Sequence, residues 1–186
     1  SYEIGLTWQP TGATSLDLAL YRNDVSNQIT WAPVDPNDFF GPWHPDNVQK
    51  VRVTGFEAAL SHRFSEQWSA RATLDLREPL NRSDGPHGRY VAYADRFKAS
   101  AELAYSPTEQ LQLSGRVLYG AARYTDEYNT VELPHYVTAD FTALYALDSR
   151  SQFKFSVENL FDEQYETKAG YRAPGRTLDL SFPRAF

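Results

Sequence analysis

The run F-K-F-S-V-E-N-L-F-D-E-Q-Y-E, residues 153–166, decides the fold of this chain. In its first half, from Phe153 to Glu158, apolar residues alternate with polar ones. A period of two predicts a strand with one apolar face. The run T-L-D-L-S-F, residues 177–182, shows the same alternation after a segment punctuated by Gly and Pro. The two runs therefore predict a hairpin with a long loop.

The same pattern repeats upstream through the whole chain. Seven more segments alternate in this way, at about 2–8, 16–31, 49–64, 68–77, 97–105, 111–119 and 137–145. Short turns are predicted at 11–14, 65–67, 106–109 and 148–150, and long loops at about 32–48, 78–95 and 122–135. The chain is thus predicted to be all-β, with about nine strands joined alternately by tight turns and long loops.

One strand departs from this regularity. In the segment 49–64 the apolar residues Val51 and Val53 occupy odd positions, whereas Phe56 and Leu60 occupy even ones. Gly55 lies where the pattern changes, and a glycine at such a change predicts a β-bulge.

Three features favour an antiparallel transmembrane β-barrel over a soluble sandwich, whose strands also alternate. The segments are about nine to eleven residues long, which is enough to cross a bilayer at a tilt, and long loops alternate with tight turns as in such barrels. Aromatic residues, which form interfacial belts, cluster beside the tight turns: Trp8, Phe64, Trp68, Tyr105, Tyr145 and Phe153. Full charges occupy the middle of the polar face, where a hydrated lumen accommodates them better than a dry core.

The barrel interpretation assigns an environment to each face of the sheet. We expect one set of residues to contact lipid: Leu18, Ala72, Leu103, Val117, Phe141 and Phe155. The opposite set should line the lumen: Arg71, Lys98, Arg116 and Asp140.

Composition excludes several classes of protein. No uncharged apolar run approaches the roughly 18 residues of a transmembrane helix. The chain has no Cys, so it has neither disulfides nor a thiolate metal site. Its net charge of −6 leaves no basic stripe for phosphates, so nucleic acid is not an expected partner.

The strand count indicates that the barrel is incomplete. A ninth strand runs in the same direction as the first, so the two cannot close an antiparallel barrel, and bacterial single-chain barrels have even counts. Open edges in lipid cost several kcal/mol for each unpaired backbone group. The chain also begins S-Y-E-I-G in mid-strand, without an initiating Met. We therefore expect either a fragment or one part of an assembly.

Several motifs resemble those of a known family. N-L-F-D-E-Q-Y-E-T (159–167), G-Y (170–171) and P-G-R-T (174–177) are similar to the closing signature of TonB-dependent outer-membrane receptors. L-Y-R-N-D-V-S-N-Q-I-T-W (20–31) and V-T-G-F-E-A-A-L (53–60) also resemble this family, and most nearly its vitamin B12 (cobalamin) branch. Siderophore receptors share the motifs in looser form.

The resemblance implies a 22-stranded barrel plugged by an N-terminal domain. Residues 1–186 would be its C-terminal part, without the plug and the earlier strands. It implies an outer-membrane transporter rather than an enzyme, energised by the TonB complex through the missing N-terminal part, with membrane lipid and the remaining strands and plug as partners. Cobalamin is the first expected ligand, and a ferric siderophore or haem the alternative. A passive pore or structural barrel module remains a further alternative. No cofactor is expected.

Exposed aromatics on the long loops are the candidate ligand contacts, because they suit a large, partly apolar ligand. The alternative is that they pack the loops over the barrel mouth. The candidates are Phe39, Phe40, Trp43, His44, Tyr90, Tyr93, Tyr124 and Tyr128.

Other functions have weaker signals. Acidic loop residues could bind Ca²⁺, but they lack EF-hand spacing and predict no metal site: Asp35, Asp38 and Asp46, or Asp126, Glu127 and Glu132. Asp84 and His87 are the one neighbourhood that a hydrolase could use, and no G-x-S-x-G or P-loop accompanies them. Asn159 and Asp162 suit side-chain-to-backbone bonds, so the run 159–166 is predicted to be structural.

Overall fold

The computed structural model describes residues 1–34, 41–83 and 88–182. Phe39, Phe40, Asp35, Asp38, Asp84 and His87, which the predictions above include, lie outside these ranges. Within them the regular secondary structure is entirely β. No helix in the described part of the chain has the length and apolar character needed to cross a membrane.

The strands follow one another with tight or long connections. In chain order they are β1 (Tyr2–Thr11), β2 (Thr14–Pro33), β3 (Trp43–Arg63), β4 (Trp68–Asn81), β5 (Arg89–Tyr90), β6 (Phe97–Tyr105), β7 (Leu111–Gly120), β8 (Arg123–Tyr124), β9 (Glu132–Leu133), β10 (Tyr136–Ala146), β11 (Gln152–Glu158), β12 (Glu166–Lys168), β13 (Tyr171–Arg172) and β14 (Thr177–Ser181).

The main sheet is an antiparallel meander in chain order. Its path is β1-β2-β3-β4-β6-β7-β10-β11-β14, which gives nine successive strands among the described residues. The short β5 adds to β4, whereas β8 pairs with β9 and β12 with β13 inside long loops. The predicted number and order of the main strands are confirmed.

Cross-strand register separates two chemically different faces, because directly opposed residues share a face. Ala72, Ala101, Val117 and Ala139 form one apolar row across four strands. The adjacent row on the other face is Arg71, Glu102, Arg116 and Asp140, with alternating charges. The predicted division of apolar and charged residues between the faces is confirmed.

The charged face is concave. A groove of about 710 Å³ crosses it and is lined by residues of β1, β2, β3, β4, β6 and β7. Its charged lining residues are Glu3, Asp17, Glu57, Asp75, Arg77, Lys98 and Arg116. We call this side the concave face and the apolar side the convex face. Such curvature is that of a barrel wall whose polar residues line the inside.

The hairpin of β2 and β3 is longer than predicted. The predicted loop at 32–48 is wrong at both ends, because β2 continues to Pro33 and β3 begins at Trp43. The ladder passes through Pro45, which pairs with Trp31, after two register shifts around Gln28. Prolines suggest a loop in the sequence, but a two-stranded hairpin has free edges where a missing N–H costs little.

The predicted bulge at Gly55 is also wrong. Gly55 pairs with Tyr21 on one side and Arg77 on the other, and neither ladder changes register there. The Tyr21 ring covers the glycine, since a Cβ at Gly55 would lie 2.3 Å from the Tyr21 Cζ. Glycine is required because a cross-strand ring occupies the place of its side chain. Val51 and Val53 therefore lie on the concave face, opposite to Phe56.

The tight turns lie at one end of the sheet, where they were predicted. Ser65 Oγ accepts hydrogen bonds from the N–H groups of Gln67 and Trp68, and Asp148 accepts one from Arg150 N–H. Aromatic residues surround this end, with Trp68 stacked on Tyr105 at 4.3 Å between ring centroids. Several are strongly exposed: Trp8 55%, Phe64 63%, Tyr145 47% and Phe153 44%. Their position and exposure are those of an interfacial belt.

Candidate functional site

All the long connections emerge at the opposite end of the sheet. They join β2 to β3, β4 to β6, β7 to β10 and β11 to β14. In a meander each pair of strands returns to the same end, so these connections must lie beside one another. We call this end the loop end.

The side-chain amide of Asn129 joins two of these connections, because it both accepts a hydrogen bond from and donates one to the backbone of a single residue. Asn129, between β8 and β9, accepts a hydrogen bond from Tyr90 N–H at 2.7 Å through Oδ1. Its Nδ2 donates to the Tyr90 carbonyl oxygen at 2.9 Å. Tyr93 N–H also donates to the Tyr124 carbonyl oxygen, at 2.7 Å. These bonds hold the β4–β6 loop against the β8–β9 hairpin.

Asp126 fixes the tip of that hairpin. Its carboxylate accepts hydrogen bonds from the N–H groups of Tyr128, Thr130 and Val131. Burial raises the pKa of Asp126, but these backbone bonds outweigh burial and the pKa lies below its ordinary range. The carboxylate orders the hairpin, which accounts for the acidic residue here without a metal ion. The described residues contain no group of His, Asp or Glu side chains arranged to hold a metal.

Tyr90 and Tyr124 form an aromatic cluster with an arginine. Their rings stack with centroids 5.9 Å apart, and Arg96 Cζ lies 4.6 Å from the first and 5.3 Å from the second. Tyr90 pairs with Leu80, which pairs with Arg52 on the convex side of β3. Register therefore places this cluster on the outside of the wall. Arg96 also lies 3.7 Å from Glu132.

Tyr128 is placed on the other side. Arg89, whose guanidinium lies 5.2 Å from the Tyr128 ring centroid, pairs with Asn81. Asn81 pairs with Val51, which belongs to the concave face. The Tyr128 side chain is 69% exposed, so an aromatic ring and a cation stand open to solvent at the inner side of the loop end. Such a pair can contact an apolar or an anionic ligand.

A buried arginine ties a third connection to these two. Arg123 is 7% exposed and donates to Asp95 at 2.7 Å. It also donates to the carbonyl oxygens of Glu166 and Thr167 at 3.2 and 2.9 Å. Burial raises the pKa of Asp95, but hydrogen bonds from Lys98 and Arg123 outweigh it and hold the pKa below its ordinary range. Arg123 therefore fixes the β11–β14 connection to the loops before it.

An aromatic stack strengthens this junction on the concave face. The Tyr136 and Tyr165 rings lie 4.1 Å apart and nearly parallel. Tyr136 covers Gly120, where a Cβ would lie 2.4 Å from the ring. Burial raises the pKa of Tyr165, and the neighbouring Tyr136 and Asp140 raise it further. Tyr136 over Gly120 repeats the arrangement of Tyr21 over Gly55, in which a tyrosine ring packs over a glycine of the adjacent strand.

The run 159–166 is structural, as predicted. The buried Asn159 accepts a hydrogen bond from Glu163 N–H at 2.8 Å and donates to the Glu163 carbonyl at 2.9 Å. Asp162 accepts from Arg176 N–H at 2.8 Å, which closes the connection on itself. Both residues have positive φ, of 51° and 56°, a conformation that Asn and Asp tolerate well.

The candidate ligand residues thus separate. The predicted tyrosines lie on two connections that hydrogen bonds join: Tyr90, Tyr93, Tyr124 and Tyr128. They do not form one surface, because Tyr90 and Tyr124 lie on the convex side of the wall and Tyr128 lies on the concave side. Trp43 and His44 lie on β3, paired with Pro33 and Ala32, rather than on a loop. The residues predicted from the sequence do not include those that join the loops: Arg89, Arg96, Arg123 and Asn129. Each of them lies within a few residues of a loop tyrosine, which is the signal that could have indicated them.

A one-layer wall with a charged concave side, an apolar convex side and all its long loops at one end defines a class of protein, the outer-membrane β-barrel. Residues 1–160 match the family model described as TonB dependent receptor-like, beta-barrel. The chain belongs to this family and is an outer-membrane protein.

Curated relatives have different ligands in their names. The chain is 26% identical over 159 residues to the vitamin B12 transporter BtuB of Vibrio vulnificus, covering 82% of this chain and 23% of the relative. It is 24% identical over 183 residues to the probable TonB-dependent siderophore receptor PiuA of Acinetobacter baumannii, covering 91% and 24%. It is 26% identical over 176 residues to the ferrioxamine receptor of Yersinia enterocolitica, covering 88% and 23%. The chain therefore spans about a quarter of the length of these relatives.

Solved structures share the fold. The siderophore receptor PiuA from Acinetobacter baumannii superposes with a TM-score of 0.74 at 24% identity, over 98% of this chain and 28% of the other. The copper transporter OprC superposes with a TM-score of 0.80 at 18% identity, over 99% and 30%. At these identities the likeness establishes the architecture, which is a part of a larger barrel.

Proposed function

We propose that residues 1–186 are the C-terminal strands of a longer receptor that imports a scarce ligand across the outer membrane. The remaining strands and a plug domain then complete the barrel, and the TonB complex supplies the energy through an N-terminal segment. Membrane lipid covers the convex face. The short match to relatives about four times as long supports the proposal that this chain is one part of such a receptor.

The observation that carries this proposal is the assembly of three connections at the loop end. Asn129 joins two of them, and Arg123 adds the third through Glu166 and Thr167. A pore that only passes solutes by diffusion does not need loops fixed to one another. A receptor does, because prior ordering lowers the entropic cost of binding. The exposed Tyr128 beside Arg89 is then the part of this assembly available to a ligand.

Cobalamin is the first candidate ligand. It is large and partly apolar, so exposed aromatic side chains suit it. The similarity to the vitamin B12 transporter BtuB supports this choice.

A ferric siderophore is the second candidate, and a specific observation favours it. Arg89 lies beside Tyr128 on the concave side, and a cation with an aromatic ring suits an anionic chelate. The relatives PiuA and the ferrioxamine receptor, both named for siderophores, support this alternative equally well.

Binding to the full-length receptor in detergent separates the two candidates. Cyanocobalamin and an anionic ferric tris-catecholate are titrated separately into the wild type and into the Tyr128→Ala and Arg89→Gln variants. We expect cyanocobalamin to bind, and Tyr128→Ala to weaken it about tenfold, as loss of an aromatic contact does. Tyr145→Ala, at the tight-turn end, removes another exposed aromatic residue and should leave binding unchanged.

The other outcomes are informative. Binding of the ferric tris-catecholate alone, weakened by Arg89→Gln, would replace cobalamin with a siderophore. Binding that neither variant alters would remove Tyr128 and Arg89 from the site. Binding of no ligand, together with ion conduction by the receptor, would favour the passive pore.

A further inference from the structure

Asp75, on the concave face of β4, lies between two cations that can both reach it. Arg77 on the same strand donates to its carboxylate, with Nε 2.7 Å from Oδ1 and Nη2 in contact with Oδ2. Lys98 on β6 is the direct cross-strand partner of Asp75. The Cβ atoms of directly opposed residues are about 5 Å apart, so the Lys98 ammonium also has Asp75 within its reach. In this structure Arg77 binds Asp75, and Lys98 binds a different acid.

That acid is Asp95, which connects the wall to the loop end. Lys98 Nζ lies 2.7 Å from Asp95 Oδ2. The other carboxylate oxygen accepts a hydrogen bond from Arg123 Nη1, also at 2.7 Å. Arg123 in turn donates to the carbonyl oxygens of Glu166 and Thr167. A continuous series of polar contacts therefore runs from the groove on the concave face to the β11–β14 connection.

The two ends of this series differ in exposure. The side chains of Arg77 and Lys98 are each 39% exposed, and both line the groove of about 710 Å³. The Arg123 side chain is only 8% exposed, and its Nε has no hydrogen-bond partner among the described residues. A buried guanidinium that loses its carboxylate cannot recover the lost bonds cheaply from water. The grip of Arg123 therefore depends on the orientation of Asp95, which Lys98 fixes.

The charges around Asp75 allow a second arrangement. If another anion draws Arg77 away, Asp75 is left facing Glu57, its directly opposed residue on β3. Like charges in this position destabilise each other, and Lys98 is the adjacent cation that neutralises Asp75. Movement of Lys98 to Asp75 leaves Asp95 with one of its two cations. The same side chains thus have two discrete arrangements, which a switching element requires.

We propose that Arg77 senses anions in the lumen: an oxyanion that binds it in the groove transfers Lys98 from Asp95 to Asp75 and loosens the β11–β14 connection. A guanidinium suits a carboxylate, a catecholate or another oxyanion, because it donates two parallel hydrogen bonds. The benefit, release of the loop end once an anionic ligand has entered the lumen, rests on the proposed import. The linkage itself does not, so the two can fail separately.

Hydrogen exchange at 166–172 in the full-length receptor in detergent tests the linkage. Arg77→Gln frees Asp75 and should raise exchange there about tenfold, the effect of losing a hydrogen bond between ionised partners. Arg77→Gln/Asp75→Asn removes the competitor for Lys98 as well, so exchange should return to the wild-type rate. Arg116→Gln is the matched control, because it removes another cation that lines the groove and should change nothing. Resistance of the barrel to heating verifies that each variant is folded.

A tethered charge tests the sensing step without an identified ligand. Ala19 lines the groove two strands from Asp75, a separation of about 10 Å that a short label and the Arg77 side chain span together. Ala19→Cys is labelled with sulfonatoethyl methanethiosulfonate or, as a cation of similar length, with trimethylammonioethyl methanethiosulfonate. We expect the sulfonate to raise exchange at 166–172 and the ammonium not to. In an Asp75→Asn background the sulfonate should have no effect, and the receptor without the new cysteine is treated in parallel.

Three results would overturn the proposal. The first is unchanged exchange at 166–172 in Arg77→Gln. The second is an increase that persists in Arg77→Gln/Asp75→Asn or spreads through β10, since it would indicate general loosening of the wall. The third is an equal effect of the two labels, which would mean that the bulk of the label and not its charge disturbs the loop end.

Discussion

Both halves of β3 alternate apolar and polar residues, but the two halves place their apolar residues on opposite faces of the sheet. From Phe56 to Arg63 the apolar residues lie on the convex face, and the concave face contains Glu57. From Val51 to Gly55 the apolar residues lie on the concave face, and the convex face contains Arg52 and Thr54. The ladder keeps its register between the two halves, so the strand does not rotate to present its other face. The difference between the halves therefore lies in what surrounds them.

We propose that the boundary of the bilayer explains this reversal. A strand in lipid must present apolar side chains outward, and a strand beyond lipid presents polar ones outward and packs its inner side under the loops. Val51 is only 6% exposed, although it belongs to the face that is charged lower down. On this proposal, the reversal of polarity in the sequence marks the point where this strand leaves the membrane.

The largest expected effect is the cost of an arginine on the convex face, which should differ between positions on the two sides of the proposed boundary. Val117→Arg lies in the middle of β7 and should destabilise the folded barrel by about 2–4 kcal/mol. Thr54→Arg lies beyond the proposed boundary and should cost about 0–1 kcal/mol. Urea titration of the full-length receptor in lipid vesicles measures both. Equal costs would mean that the two positions do not differ in depth.

A smaller effect is expected from adding a methyl group on each face. Gly120→Ala must displace the buried Tyr136 ring, which Tyr165 holds by stacking, and overpacking of this kind costs about 1–3 kcal/mol. Gly115→Ala in the same strand meets no atom within 4 Å and should be nearly neutral. The same titration compares them. If Gly120→Ala were as mild as its control, the concave face would be less closely packed at the loop end than we describe.

Periodicity could predict much of this architecture, because each strand needs only its own residues to specify a face. The strand order, the tight turns and the charged concave row all followed from it. Contacts between distant segments could not be predicted. Gly55 signals a bulge in sequence, and only the pairing with Tyr21 shows that a ring occupies its place.

The loop end was predictable only in part, for the same reason. Loop tyrosines could be chosen from their residue type, but register decides which side of the wall Tyr90 and Tyr128 occupy. Prolines between 33 and 45 conceal the continuation of β2 and β3. The joining roles of Asn129 and Arg123 depend on partners 39 to 44 residues away.

The joining role of Asn129 gives a local effect. Asn129→Asp keeps the acceptor for Tyr90 N–H and tolerates the positive φ, but it loses the Nδ2 donor to the Tyr90 carbonyl. We expect a cost of about 1 kcal/mol, confined to the loop end. Hydrogen exchange should increase between 121 and 135 and remain unchanged in β7 and β10. Increased exchange throughout these strands would show that the loops and the barrel unfold together.

The smallest effect is the pH dependence of the Arg123–Asp95 contact. Because the pKa of Asp95 is lowered by folding, its contribution to stability is complete above the ordinary carboxyl value of about 3.9 and is lost as pH falls through the lower folded value. The difference in melting temperature between the wild type and Asp95→Asn should therefore shrink from pH 5 to pH 2. A constant difference would indicate that the carboxylate charge has no role there.

A cysteine scan along β3 tests whether the bilayer boundary causes the reversal, and residues 1–186 contribute no native cysteine that would take up the label. Single cysteines from position 51 to 63 in the full-length receptor are spin-labelled in vesicles, and collisions with oxygen and with a water-soluble nickel complex are compared. We predict that 56, 58 and 60 report lipid, that 52 and 54 report water, and that 51 and 53 do not report lipid. Lipid contact at 51 and 53 would mean that the strand changes face at Gly55, and it would contradict the bilayer boundary as the cause of the reversal.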